Sequence, residues 1–544
     1  MIKPDSQSLK IWIAVVVLAC TAFLMFFRLG HYALWDDEAD TALFAISVWR
    51  TGDTHAMLDH NLIAHTDGQE LKGLRNRYIP PLAFYLAAPF IGLAGQGTTF
   101  WARFPFAVCG LLTVAVMLWW LWKANACVKT WLLMSAGILG NVSLMLYARQ
   151  CRYYSVSILA ATCMAYLYFY RDGRLRTSIL LAVSSLALLA SHYMFYVAAY
   201  ACMLADYCLW GRTEHPFKKS ELAAVFVPQV VLGGWLVSVY NLLGTKAVGY
   251  DGLNDWIAGR LKMLYWYFRE LNSCEHGIGI LILLAPLLYL IVRDRRLLRG
   301  ATAVLVFLVS ITVLSPKPFP GYPMAMVRYL APVIPGCIFL AVVFIDTTTV
   351  RLKWLAAPLA LLAFGTNVLH GGPLSGVDKH AVFSSVIAQG RFRSTVVEFI
   401  GELTAPPPSA YRRTARWVEE NVKEKQPAVV FPSYATYPLM YHAPHPLYAW
   451  QLKKKTPQFQ SLPDIHFYGL KPPQFMIAFG PFLRQAKRWI NKMEARGMDY
   501  ERVETLDIYW YDLIRPELFW HTFKEVRNYS VEDQAIYVFQ RQNN

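Results

Sequence analysis

The sequence predicts a polytopic α-helical membrane protein with about 11 spans, an interfacial helix in its first outer loop and a C-terminal α/β extracytoplasmic domain. Three observations predict it. Of 544 residues, 56% are hydrophobic and 16% charged, where a soluble domain carries roughly 25% charged residues. Apolar runs recur at lengths near the ~20 residues that cross a bilayer core. Basic residues collect in alternate loops between those runs, which is the pattern that sets orientation.

The first run, about Leu9 to Phe27, follows Lys3 and Lys10 and leads into Arg28-Leu29-Gly30. It is too long for a signal-peptide core and has no small-residue cleavage site, so it reads as a retained anchor. Further runs lie near 103–122, 130–147, 153–170, 177–193, 194–210, 221–242, 276–293, 300–316, 325–345 and 353–370. Between them, Lys123/Lys129, Arg171/Arg174/Arg176, Arg212/Lys218/Lys219, Arg293/Arg295/Arg296/Arg299 and Arg351/Lys353 all fall on one side if the N-terminus is cytoplasmic. The expected location is therefore a multi-pass inner or plasma membrane protein. Much of the net charge of +16 lies in these loops; it reports orientation and does not imply nucleic acid.

Tyr78 to Leu93 is apolar but contains Pro80, Pro81 and Pro89. Counting it as a crossing would invert every later basic loop, so it is expected to be an interfacial or re-entrant helix within one long outer loop, 30–102. The run 177–210 is about twice a span, and Ser191-His192-Tyr193 marks its outer turn. These elements make up an expected transmembrane domain, 1–370.

The tail, 371–544, is expected outside the membrane. Pro406-Pro407-Pro408 reads as a linker and Ser409 as the N-cap of a helix with Tyr411, Ala415, Val418 and Val422 on one stripe. Strands are expected at 428–431, 474–479 and 534–539, with a helix through Phe482, Ala486, Trp489, Ile490 and Met493 ending before Gly497.

Most of the nine cysteines lie in or beside apolar runs and the tail has none, which excludes a disulfide framework; Cys151 and Cys274 are the one pair expected near each other. His55, His60 and His65 recur every five residues, a spacing that rotates each by about 140° on a helix and gives no shared metal face. Gly95-Gln96-Gly97 lacks the third glycine of a dinucleotide loop, and Asn141-Val142-Ser143 sits inside a span, where it cannot be glycosylated.

Against that background the acids Asp36, Asp37 and Glu38 stand out at the rim of the first span. Carboxylates packed against apolar neighbours and cations are suited to general-base chemistry, whereas an ordinary acidic run is a solvated loop. Arg75, Arg77, Arg103, Arg149, Arg152, Lys317 and Arg328 lie at the same outer boundary, where topology does not favour positive charge. An anion is expected there, since the guanidinium fork suits phosphate; snorkelling to lipid headgroups is the plainer alternative.

Trp35-Asp36-Asp37-Glu38-Ala39 followed by Ser47-Val48-Trp49-Arg50-Thr51-Gly52-Asp53 resembles the first-loop motif of the GT-C membrane glycosyltransferases, in the branch of aminoarabinose transferases and protein O-mannosyltransferases. Arg77-Tyr78-Ile79-Pro80-Pro81-Leu82, Ala102-Arg103-Phe104-Pro105, Tyr147-Ala148-Arg149 with Arg152-Tyr153, and Arg328-Tyr329-Leu330 with Pro332 and Pro335 extend the resemblance over residues 9–370. It implies transfer of a sugar from a polyprenyl-phosphate donor to a lipid, glycan or protein acceptor outside the cytoplasm. Asp37 then stands at the catalytic position with Glu38 beside it. Arg77, Arg149, Arg152 and Arg328 are the expected donor-phosphate ligands, and Tyr78, Tyr153, His192 and Tyr329 the expected cavity residues. No cofactor is required by the sequence, although the acids are compatible with a divalent metal. Two departures bear on the acceptor and donor: Ile79 stands where aminoarabinose transferases carry lysine, and Arg152-Tyr153-Tyr154 where they carry an acid. A transporter or lipid flippase using the same charges is the competing class, and a membrane-anchored binding or assembly protein is the third.

Overall fold

A computed structural model describes residues 6–240, 252–315, 323–366, 368, 394–406, 408–508 and 535–542. Lys317 and most of the junction near residue 371 lie outside the described residues, as does the side chain of Cys274; Cys151 is a buried free thiol.

Every expected apolar run forms a helix. The anchor is α1 (Ser6–Phe26), and the outer loop opens with α2 (Asp36–Thr51) and carries α3 (Leu82–Ala94). There follow α4 (Thr99–Lys123), the pair α5 (Val128–Gly140) and α6 (Val142–Ala148), α7 (Tyr154–Phe169), α8 (Leu175–Ser191), α9 (Tyr193–Glu214) and α10 (Lys219–Tyr240). After α11 (Leu253–Cys274) come α12 (Ile278–Val292), α13 (Arg295–Leu314), α14 (Arg328–Thr348, opening as a tighter 3₁₀ turn) and α15 (Lys353–Gly365). Six of them are long and apolar enough to cross a bilayer, seven if the bent pair α5–α6 counts as one span; the other apolar helices have 10 to 17 residues. Six or seven of the about 11 expected spans are full-length, and α7, α8, α12 and α15 are shorter apolar helices at the remaining expected runs. α3 is one of the shorter helices; it packs against both α2 and α4.

The 56° bend between α5 and α6 has an identifiable cause. Asn141 interrupts the helix and its Oδ1 accepts from the Leu144 N–H at 2.8 Å, starting a new helix. Its Nδ2 donates to Glu275 at 2.6 Å, Ser143 also donates to Glu275, and the bend is thereby tied to the end of α11.

The outer loop holds two small hairpins, β1 (Met57–Leu58) with β2 (Asn61–Leu62) and β3 (Leu71–Lys72) with β4 (Arg75–Asn76). In the tail, β5 (Pro427–Phe431), β6 (Leu447–Tyr448), β7 (Phe475–Phe479), β8 (Tyr500–Leu506) and β9 (Ile536–Arg541) form one sheet in the order β6-β5-β7-β9-β8. β5 runs parallel to β6 and β7, while β9 is antiparallel to β7 and β8. Alternation along the strands decides what each sheet face meets. Ala428, Val430, Phe475, Ile477 and Val538 join the core shared with α16 (Ala410–Asn421), α17 (Thr436–His442) and the membrane helices. Val429, Phe431, Met476 and Ala478 face α18 (Leu483–Glu494) through Leu483, Ala486, Ile490 and Met493.

Close packing of α4 on α6 depends on Gly110. A Cβ there would lie 2.3 Å from the Ala148 Cβ, which cannot swing away. Gly110→Ala is expected to destabilise by about 1–3 kcal/mol through overpacking, read as a lower unfolding temperature in detergent.

Candidate active site

The site is organised by the first turn of α2, where Asp36, Asp37, Glu38 and Asp40 are all buried. Acids at a helix N-terminus meet the positive end of the helix dipole and its unpaired N–H groups. Glu38 Oε2 accepts from the Trp35 N–H at 3.3 Å, the reach-back that closes a helix start.

The two neighbouring acids have separate partners. Glu38 is fully buried and takes a bidentate pair from Arg103, Nε at 2.8 Å and Nη2 at 2.6 Å, plus the Cys151 N–H at 2.7 Å. Arg103 also donates to the carbonyls of Leu29, Tyr32 and Ala33 at 3.0–3.1 Å. Asp37 instead faces Arg328, whose Nη1 lies 2.8 Å from Oδ2, and Arg152, whose Nη2 lies 3.6 Å from Oδ1. Arg152 further donates to the Asp37 carbonyl at 3.0 Å and Thr41 Oγ1 at 2.9 Å, and lies 3.5 Å from Asp40.

Aromatic rings wall this centre. Tyr153 stacks near His192 (4.9 Å between centroids), His192 lies 5.8 Å from Tyr329 and 4.2 Å from Phe195, and both arginines sit over the ring that follows them in sequence, Arg152 on Tyr153 and Arg328 on Tyr329. Buried as it is, His192 Nδ1 has no hydrogen-bond partner, and neither has the Tyr154 hydroxyl. Unpaired polar atoms in a buried wall are where a polar ligand is expected to bond.

Three expected site residues, Glu38, Arg77 and Arg149, have side-chain partners elsewhere. Glu38 stands beside Asp37 in sequence but points to Arg103, because adjacent residues on a helix are about 100° apart. Arg77 is bidentate to Asp53 at 2.5 and 2.8 Å, which holds the Asp53 carboxyl down at about 2. Tyr78 belongs to that same loop, its N–H meeting Asn76 Oδ1 at 3.4 Å. Arg149 caps the end of α1, donating to the carbonyls of Leu24, Met25 and Phe27 at 2.8–3.0 Å. Asp37, Arg152, Arg328, Tyr153, His192 and Tyr329 do come together.

Sequence reasoning missed Arg269. It is 2% exposed on α11, 4.6 Å over the Trp266 ring, and its Nε and Nη2 have no hydrogen-bond partner. Among the described residues no acid pairs with it, and a guanidinium buried without a counter-charge is costly, a cost that an anion would offset. α11 packs against the segment carrying Arg328. The available signal was an arginine following Trp266-Tyr267-Phe268, in a stretch passed over between two spans.

The tail covers this region. His442 Nε2 accepts from the Leu34 N–H at 3.2 Å, and burial pushes its imidazole down to about 3, so it is neutral and fit to accept. Asn61 bonds the carbonyls of Pro444 and Pro446 and the Tyr448 N–H at 2.8–3.0 Å; His60 meets the Pro446 carbonyl at 2.9 Å. Among the described residues, no three His, Cys, Asp or Glu side chains gather as metal ligands would.

The fold defined by these helices and the covering sheet is shared with proteins of known structure. The chain superposes on ArnT, the aminoarabinose transferase, from Cupriavidus metallidurans in its apo state with a TM-score of 0.56 at 14% identity, covering 88% of this chain and 95% of that one. The same enzyme bound to undecaprenyl phosphate gives 0.56 at 12% identity, covering 89% and 95%. An oligosaccharyltransferase from Archaeoglobus fulgidus gives 0.43 at 10% identity, covering 88% and 69%. No family model and no curated protein sequence matches the chain.

Breaking a buried charge pair by removing one member costs about 3–5 kcal/mol. Glu38→Ala is therefore expected to lower stability by that order, measured by thermal unfolding.

Proposed function

We propose that this protein is a membrane glycosyltransferase that moves a sugar from a polyprenyl-phosphate donor to an acceptor hydroxyl at the extracytoplasmic face. One observation carries it: a helix-terminal carboxylate, Asp37, held between two guanidiniums inside an aromatic wall. That a protein of the same fold, ArnT, binds undecaprenyl phosphate supports the donor class.

The chemistry needs a cationic seat for the departing phosphate and a base for the attacking hydroxyl. The acceptor oxygen bonds to the anomeric carbon as the bond from that carbon to the phosphate oxygen breaks, and the hydroxyl proton passes to Asp37. In-line displacement inverts the anomeric centre. The donor phosphate takes over Arg328, with Arg152 and Arg269 as further cations, and that exchange releases Asp37 Oδ2 to receive the proton. In this reading residues 1–370 form the catalytic domain and 371–544 an extracytoplasmic domain that covers it, with the N-terminus cytoplasmic.

Purified protein given a lipid-linked sugar and an acceptor should release polyprenyl phosphate. Asp37→Asn is expected to lower turnover by about two to four orders of magnitude while donor binding persists, and Asp36→Asn much less. Wild-type turnover in Asp37→Asn excludes this base.

Arg328→Ala removes a charge-assisted phosphate contact of roughly 1.5–3 kcal/mol, so donor use should weaken about ten- to a hundredfold. Unchanged donor dependence in the folded variant takes Arg328 out of the phosphate seat. Orientation is checked separately with Arg413→Cys, an exposed position beside Ser409: an impermeant thiol reagent should label it from outside, and labelling confined to the cytoplasmic side inverts the arrangement.

A further inference from the structure

We propose that a cavity whose apolar end reaches Pro332 and Val333 and whose polar end lies at the membrane rim remote from Asp37 binds one chain of an anionic phospholipid, whose phosphate is held by Arg296 and Arg299. The cavity has a volume of about 540 Å³ and lies between α7, α9, α13 and α14, with Met164, Phe307, Gly336 and Phe339 in an apolar wall. An apolar space of this size is not stably filled by water. Inside a bilayer, hydrocarbon fills it.

One end is polar. Tyr168 donates to Asp206 at 2.9 Å, Arg299 reaches Asp206 at 3.1 Å and Glu214 at 2.7 Å, and Arg296 pairs with Asp294 at 2.7 Å. Arg171 and Arg295 stand at the same rim, Arg171 over the Tyr168 and Phe217 rings and Arg295 against Glu214. Asp346 also faces Arg296 and pairs with Lys129 at 2.9 Å; the rim thus holds the five cations Arg171, Arg295, Arg296, Arg299 and Lys129 against the four acids Asp206, Glu214, Asp294 and Asp346, and they surround the N-terminus of α13, whose dipole adds positive potential. Basic pockets between spans at a membrane rim are suited to anionic headgroups.

The site is separate from the proposed donor seat. α13 runs twenty residues from Arg295 to Leu314, about 30 Å. Its far end is where Arg260 of α11 donates to the carbonyls of Thr312 and Ser315, and α11 packs on the Arg328 segment. Arg299 stands about 22 Å along α13 from that end, so a phosphate on it lies away from the Arg328 segment, at the rim whose basic loops predict the cytoplasmic side.

The test uses the full chain in mild detergent, equilibrated with phosphatidylglycerol, phosphatidylcholine or undecaprenyl phosphate and examined by native mass spectrometry. One phosphatidylglycerol should be retained, about fivefold more tightly than phosphatidylcholine. At Gly336 a Cβ has room, its nearest neighbours being 3.8 and 4.0 Å away. Gly336→Leu should therefore fold, fill the cavity and weaken retention about tenfold, as displacing two methylenes would. Arg296→Gln, at an exposed ion pair, should remove the preference for phosphatidylglycerol. The proposal is overturned if no lipid is retained, if Gly336→Leu retains as much as wild type, if both phospholipids are held equally, or if undecaprenyl phosphate displaces phosphatidylglycerol one for one.

Discussion

The arrangement of the whole outer face depends on the buried pair Glu38–Arg103. Each partner satisfies the other twice, and Arg103 has three further donations to make, all to carbonyls of the segment that leads into α2. Glu38 in turn accepts from the N–H of Cys151, in the turn between α6 and α7. One side-chain pair thus ties together the end of α1, the start of α2, the start of α4 and the start of α7. Such a pair gives little net stability against an apolar substitute, since both charges are desolvated. Its effect is positional: it fixes the rotation of α2, and that rotation aims Asp37 at Arg152 and Arg328.

The same geometry explains which site residues were legible in the sequence. Asp37, Arg152 and Arg328 could be read because ionisable groups at the rim of apolar spans are rare and need partners. Glu38 could not be separated from Asp37, as the two differ only by position around a helix whose start was not yet known. Arg77 and Arg149 look like Arg328 in sequence. One meets an acid 24 residues away and the other a row of helix-end carbonyls, and neither partner can be identified from spacing. Arg269 was missed for the opposite reason. It lies between two apolar runs, in the mixed stretch Trp266-Tyr267-Phe268-Arg269-Glu270, where no run or motif singles it out.

The fold was legible where periodicity is strong. Ser409 does cap its helix, its Oγ accepting from the Arg412 N–H at 3.4 Å, and β5, β7 and β9 fall within two residues of the expected strands. β6 has two residues, too few for a pattern, and β8 is a partly exposed edge, Tyr-Glu-Arg-Val-Glu-Thr-Leu, whose charges protect it from pairing with other chains and hide its strand character. Among the described residues, helices of full span length number six or seven, and four of the expected runs are occupied by shorter ones, a difference in helix length that mean hydropathy does not register.

The clasp between the tail and the first loop also sets an order of events during synthesis. Leu34 and His442 are 408 residues apart in the chain, and Asn61 and Tyr448 are 387 apart. The acids of α2 emerge first, and every membrane helix is made before the sheet that covers them exists. At about 5–20 residues per second, the loop spends tens of seconds with Asn61 and the Leu34 N–H lacking their final partners. Competence therefore arrives with the last part of the chain, so a truncated product would hold Asp37 and both of its arginines while lacking the lid that closes over them.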